Sequence, residues 1–143
     1  MAGLITPKNA HDLIRAVKKE AKHYHTDWSQ VADMPRRFEN LVASHLLKWV
    51  HFQQDALGLD LEPRYFRDVD GREVDFVVSE GRRPLRFIEA KWDDAPVSPA
   101  LAYLKKKFPD AEALQLSAVG RKDFLSADGI RVLPALNFLR GLV

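Results

Sequence analysis

Between Leu61 and Trp92 the apolar residues recur at every second position, a period that belongs to strands and not to helices. Asp70-Gly71 interrupts the run with a tight-hairpin signal, and Glu80-Gly81-Arg82-Arg83-Pro84 interrupts it again. A three-strand meander follows: Leu61–Asp68, Arg72–Ser79 and Leu85–Trp92. Pro63 has no N–H to give a ladder, so the first strand is expected at an edge or a strand start. On the second strand Glu73, Asp75 and Val77 share a face, and Val74, Phe76 and Val78 share the other. On the third, Phe87, Glu89 and Lys91 oppose Ile88, Ala90 and Trp92. Charged side chains on one side of short apolar strands are costly unless they pair or hold a cation. The meander is therefore where a site is expected.

Helical periods flank it. Asn9 can cap a helix from Ala10 to Glu20, in which Leu13, Ile14 and Val17 fall on one side. Lys22–His25 reads as extended, and Ser29–Met34 as a turn of helix. The longest helical pattern runs from about Pro35 to Gln54, with Phe38, Leu41, Val42, His45, Leu46, Trp49 and Phe52 as its apolar stripe. Glu39 lies on the flank of that stripe, and Gly58 marks the stop. After the meander, Ser98 and Pro99 open a helix carrying Leu101, Leu104 and Phe108, which Pro109-Asp110 closes. Ala113–Val119 reads as a fourth strand, Gly120–Asp128 as loop, Gly129–Leu133 as a fifth strand and Pro134–Leu142 as a closing helix. The expected architecture is one α/β domain over residues 1–143 with a mixed sheet flanked by helices. Within it, residues 1–34 form an N-terminal helix and extended segment, and 35–143 the core.

Composition narrows the chemistry. The chain has 143 residues, no cysteine and a net charge of +2, so disulfides and thiolate catalysis are excluded and overall charge does not select a partner. Without an apolar leader, a membrane span or cysteine, the chain reads as cytoplasmic.

An aspartate on one strand followed by Glu-x-Lys on the next suits metal-assisted phosphodiester cleavage. Mg²⁺ or Mn²⁺ prefers oxygen ligands, which Asp75 and Glu89 supply. Lys91 is placed to orient a water or to stabilise transition-state oxygens. Glu39 would add a carboxylate from the long helix, and Glu73 a ligand or positioning group. Arg82, Lys105, Lys106, Arg121 and Lys122 are candidates for phosphate contacts along DNA. The competing reading makes Glu89-Ala90-Lys91 a solvated ion pair, Asp75 a surface residue and the lysine run the wet side of a helix. His23, His25 and Asp27 would share a face if extended, but Tyr24 and Trp28 make a structural anchor the better reading. His45 and His51 have no partner pattern, and Trp49 and Trp92 read as core.

Glu39, Asp75 and Glu89-Ala90-Lys91, in the order helix, meander, helix, strand, resemble the PD-(D/E)XK nuclease superfamily. More closely, the chain resembles the C-terminal domain of unknown function that follows the P-loop domain in many predicted bacterial and archaeal AAA+-type ATPases. Carrying that resemblance are Lys22–Ser29, Arg37–Ala43, Tyr65–Asp68, Arg72–Phe76, Ile88–Lys91 and Gly129–Leu139. It implies a restriction-endonuclease-like core and a nuclease site at Glu39, Asp75, Glu89 and Lys91. No Gly-x-x-x-x-Gly-Lys-Ser/Thr loop is present, so ATP hydrolysis is not expected of this chain. It reads as a stand-alone or truncated form of that domain. Two functions stand: a metal-dependent endonuclease acting on DNA, or a non-catalytic module binding a protein partner or a second copy of itself.

Overall fold

A computed structural model describes residues 33–142 with their side chains, and the backbone of Ile14–Ala16. Seven strands form one mixed sheet: β1 (Ile14–Ala16), β2 (Leu61–Arg67), β3 (Glu73–Glu80), β4 (Arg83–Lys91), β5 (Glu112–Ser117), β6 (Phe124–Leu125) and β7 (Arg131–Pro134). Their spatial order is β1-β2-β3-β4-β5-β7-β6. β1 to β4 are antiparallel neighbours, β4-β5-β7 are parallel, and β6 closes the far edge antiparallel to β7. Among the described residues three helices cover it: α1 (Met34–Leu57), α2 (Pro99–Lys107) and α3 (Ala135–Arg140).

The helix ends follow local chemistry. Asp33 accepts from the Arg36 N–H at the start of α1, Pro35 sits in the first turn, and Gly58 closes the helix at φ 66°. Ser98 caps α2 by accepting from Leu101, with Pro99 behind it. The expected helix over Ala10–Glu20 is not what the described part of that segment forms. Ile14–Ala16 is a strand, paired antiparallel with Phe66–Arg64. Helical spacing over so few residues is a weak preference, and an open sheet edge supplies hydrogen bonds that override it. The readings of Lys22–His25 and Ser29–Met34 lie outside the described residues, apart from Asp33 and Met34. Pro63 is in the second strand from the edge, next to Arg64, where the described pairing with β1 begins. The segment read as loop after Gly120 contains the short strand β6, which two residues of sequence could not signal.

The core divides into layers on the two faces of the sheet. Under α2, Phe66, Val74, Val77, Phe87 and Val132 pack with Leu101, Leu104 and Phe108. On the opposite face Phe76, Ile88, Leu114, Leu116 and Leu133 pack with Phe38, Val42 and Leu46 of α1 and with Phe138 and Leu139 of α3. From Arg86 onward β4 alternates, with Phe87 under α2 and Ile88, Ala90 and the following Trp92 toward α1, whereas Leu85 is an extra residue in its register with β3. β3 does not. Its register with β2 passes from Arg64↔Val77 to Phe66↔Val74, so two residues of β3, Asp75 and Phe76, oppose Tyr65 alone. This β-bulge shifts the alternation by one residue and puts Val74 on the face of Val77, not of Phe76.

The β2–β3 turn is built on Asp68. Its side chain accepts from the N–H groups of Asp70 and Arg72 and from the Arg72 guanidinium at 3.0, 2.9 and 2.8 Å. Gly71 supplies the φ of 83° that the turn needs. Arg72 also lies 4.1 Å from the Tyr103 ring centroid, fastening the turn to α2. Burial pushes the Asp68 carboxyl up, but the hydrogen bonds and charge of Arg72, with the Asp70 N–H, hold it below its ordinary 3.8. A lowered folded value means this stabilisation is complete above pH 3.8 and disappears as pH falls through the folded value. Asp68→Ala is expected to lose about 2 kcal/mol at neutral pH. In urea unfolding followed from neutral to strongly acidic pH, the gap between variant and wild type is expected to close below 3.8.

Candidate functional site

The C-terminal end of β4 brings the principal candidates together. Register pairs Phe76 with Ile88, so the bulge residue Asp75 lies next along the strand, beside Glu89. Its Oδ2 accepts from the Ala90 N–H at 2.9 Å, the peptide group that joins Glu89 to Ala90. The carboxylate takes the ladder position that a backbone carbonyl would hold where β3 leaves β4. Asp75 is half-buried, Glu89 is buried at 7% exposure, and Lys91 is half-buried at the strand end. Glu89 and Lys91 rise on the α2 face by the alternation seen in β4. Two carboxylates and a lysine thus sit within three consecutive positions of β4 and its bulged neighbour.

The other candidates are placed differently. Glu73 ion-pairs with Arg67 at 2.7 Å on the exposed end of the β2–β3 ladder, because the bulge removes it from the phase expected of it. Glu39 is half-buried on α1, the layer opposite the face on which Glu89 rises. Among the described residues no group of three or more His, Asp or Glu side chains gathers as a metal cluster. Register makes Asp75 and Glu89 neighbours on adjacent strands. A pair suits Mg²⁺, which commonly takes one or two carboxylates and completes its octahedron with water and substrate phosphates.

The basic candidates do not form one surface. Arg82 lies in the β3–β4 turn, and Lys105 and Lys106 at the end of α2, near the start of β4 and β5. Arg121 and Lys122 follow β5, at the end where Lys91 sits. Lys105 donates to the carbonyls of Pro109 and Ala111 at 2.8 and 2.7 Å, and so ties down the α2–β5 turn. Lys106, Arg82, Arg121 and Lys122 are exposed. His45 Nδ1 lies 2.9 Å from the Leu41 carbonyl, His51 is exposed on α1, and Trp92 meets Phe38 edge-on at 6.5 Å, a packing role.

Sequence reasoning missed two polar residues that shape this end of the sheet. Gln115, 2% exposed, pairs in register with Glu89. It accepts from the Ser98 N–H and donates to the carbonyls of Ala95 and Pro96, holding the β4–α2 loop. Asp94, in that loop, accepts from the N–H groups of Arg121 and Lys122. A Cβ at Gly120 would fall 2.6 Å from Ser117 Oγ and 2.8 Å from Asp94 Cγ, so one of these side chains would have to move to admit it. Gly120→Ala is expected to cost about 1–3 kcal/mol, read as a lowered melting temperature. A Gln inside an apolar strand was the available signal for the first, while Asp94 and Gly120 carried none.

Residues 36–138 match the model of a family described as a domain of unknown function, DUF4143. The chain belongs to that family. No curated protein and no solved structure matches it. The DUF4143 match begins within the first turn of α1 and ends within α3, so it spans the carboxylate pair and both core layers. Among the described residues of this DUF4143 chain, no helix is long and apolar enough to cross a membrane.

Proposed function

We propose that this DUF4143 domain has a PD-(D/E)XK-type nuclease core and hydrolyses phosphodiester bonds of DNA with Mg²⁺ or Mn²⁺. The observation that carries the reading is the bulge that turns Asp75 onto the Glu89–Ala90 peptide, two positions before Lys91 on the same strand. The element order α1, β2, β3, β4, α2, β5 supports it. Asp75 and Glu89 would hold the cation, which would supply an activated water and charge neutralisation at the phosphate. Lys91, on the Glu89 face, would steady the attacking water or an equatorial phosphate oxygen. Glu39, on the other layer, would act from the helix side and not as a third member of a preformed cluster. The test is cleavage of single-stranded, duplex and branched DNA with Mg²⁺, Mn²⁺ or excess chelator. Cutting that requires the cation supports the reading; no cutting of any substrate sinks it.

A second reading is favoured by one surface. Met34, Phe38, Leu41, Trp92, Val119 and Leu136 contribute to an apolar groove of about 280 Å³ between α1 and α3. Such a groove suits a non-catalytic module that docks a protein partner or a second copy of itself. That reading expects no heat on calorimetric titration with Mn²⁺, whereas the nuclease reading expects binding that Asp75→Asn removes.

A further inference from the structure

We propose that Gly120-Arg121-Lys122, with Ser117, form a phosphate-binding subsite that the Asp94 carboxylate plugs. Two consecutive N–H groups each take a different oxygen: Arg121 N–H reaches Oδ2 and Lys122 N–H reaches Oδ1, both at 3.2 Å. Two adjacent amides gripping two oxygens of one anion is the arrangement by which backbone nests hold phosphate. The distances are longer than the roughly 2.7–2.9 Å of strong charge-assisted bonds, so the carboxylate fills the receptor without fitting it tightly.

A second, separate observation points to a ligand. Ser117 is 3% exposed, and its Oγ is buried with no hydrogen-bond partner. A buried hydroxyl left unsatisfied is costly and calls for an explanation. It lies against the same point as the Asp94 carboxylate, since both crowd the position a Gly120 Cβ would take. Gly120 leaves the space, and Ser117 supplies a donor for a third anion oxygen. A carboxylate has two oxygens and a phosphate has more, so the third donor fits phosphate better than the aspartate now present. The side chains of Arg121 and Lys122, whose amides form the grip, are exposed and add positive charge to this segment.

Its position is also that of a ligand site. Ser117 pairs in parallel register with Lys91, so the two side chains rise on one face. The subsite lies outside the carboxyl ends of the parallel strands β4 and β5, where open α/β sheets bind ligands. That a nucleic-acid phosphate is what displaces Asp94 rests on the nuclease reading; the anion site itself does not.

The test is titration of the whole chain, in chelator, with inorganic phosphate and separately with a short single-stranded oligonucleotide, followed by amide NMR shifts. Asp94→Ser is expected to bind phosphate at least about 10-fold more tightly than wild type, a gain of about 1.4 kcal/mol. Shifts should centre on Gly120, Arg121 and Lys122, and Ser117→Ala in the Asp94→Ser background should remove most of the gain. Asp94→Asn keeps the side-chain shape, removes the charge and should show a smaller gain, which covers the case in which the serine variant fails to fold. Tighter binding of the oligonucleotide than of phosphate assigns the site to a nucleic-acid backbone; equal binding assigns it to free phosphate. No gain in either variant, or shifts centred elsewhere, overturns the proposal. Glu89→Gln in the Asp94→Ser background separates the two ideas, because it should leave phosphate binding intact while ending cleavage.

Discussion

Asp75→Asn is expected to lower metal-dependent DNA cleavage by about 100-fold or more, equivalent to about 2.7 kcal/mol of transition-state stabilisation. The substitution is informative because the nuclease reading gives Asp75 a second task, holding the cation, beside the structural one. Its Oδ2 accepts the Ala90 N–H and closes the ladder where β3 departs from β4. An asparagine oxygen can accept the same bond, so the fold should keep its stability to within about 1 kcal/mol while the anionic ligand is lost. Asp75→Ala removes both and should lose activity and an additional 1–3 kcal/mol or so of unfolding free energy, because the Ala90 N–H is left without its acceptor. Cleavage rates with Mn²⁺ set beside urea unfolding for the two variants separate the tasks. Asparagine that cuts as well as wild type would remove Asp75 from the chemistry.

Gln115→Leu is expected to cost about 3 kcal/mol, a large share of the stability of a domain this size. Leucine approximates the shape of glutamine, so little packing changes. What changes is the pairing of buried groups. The Ser98 N–H loses its acceptor at 2.8 Å, and the carbonyls of Ala95 and Pro96 lose their donor. Ser98 is itself the cap of α2, so the loss should spread into the first turn of that helix. The loop also carries Asp94, and hydrogen exchange at Leu101 and Ala102 should accelerate together with that at Arg121 and Lys122. An unfolding free energy within about 0.5 kcal/mol of wild type would show that water replaces all three bonds.

These expectations show which parts of the molecule local chemistry could announce. Asp70-Gly71, Ser98-Pro99 and Gly58 mark a turn, a helix start and a helix stop because each acts on its own few residues, and all three are used as read. The alternation of β4 from Arg86 onward was legible because both its faces are buried against helices. The alternation of β3 was legible only from Val77 onward, since a bulge costs one residue and leaves no mark in the hydrophobic pattern. Its consequence reaches the site: Glu73 leaves the cluster for Arg67, and Asp75 turns onto the backbone of β4. The lysine run after Tyr103 looks uniform as sequence, yet Lys105 is committed to two carbonyls while Lys106 is exposed.

By itself, then, the amino-acid order determined an α/β chain with a meander, its turns and caps, and Glu89 and Lys91 on one side of the third meander strand, because those depend on period and short-range hydrogen bonding. Only the tertiary structure decided that Ile14–Ala16 joins the sheet, that β7 lies between β5 and β6, and that Asp94 reaches the amides after Gly120. Each of these joins residues distant in the chain, where the free energy comes from ladders and buried polar pairs that exist only once the sheet has assembled.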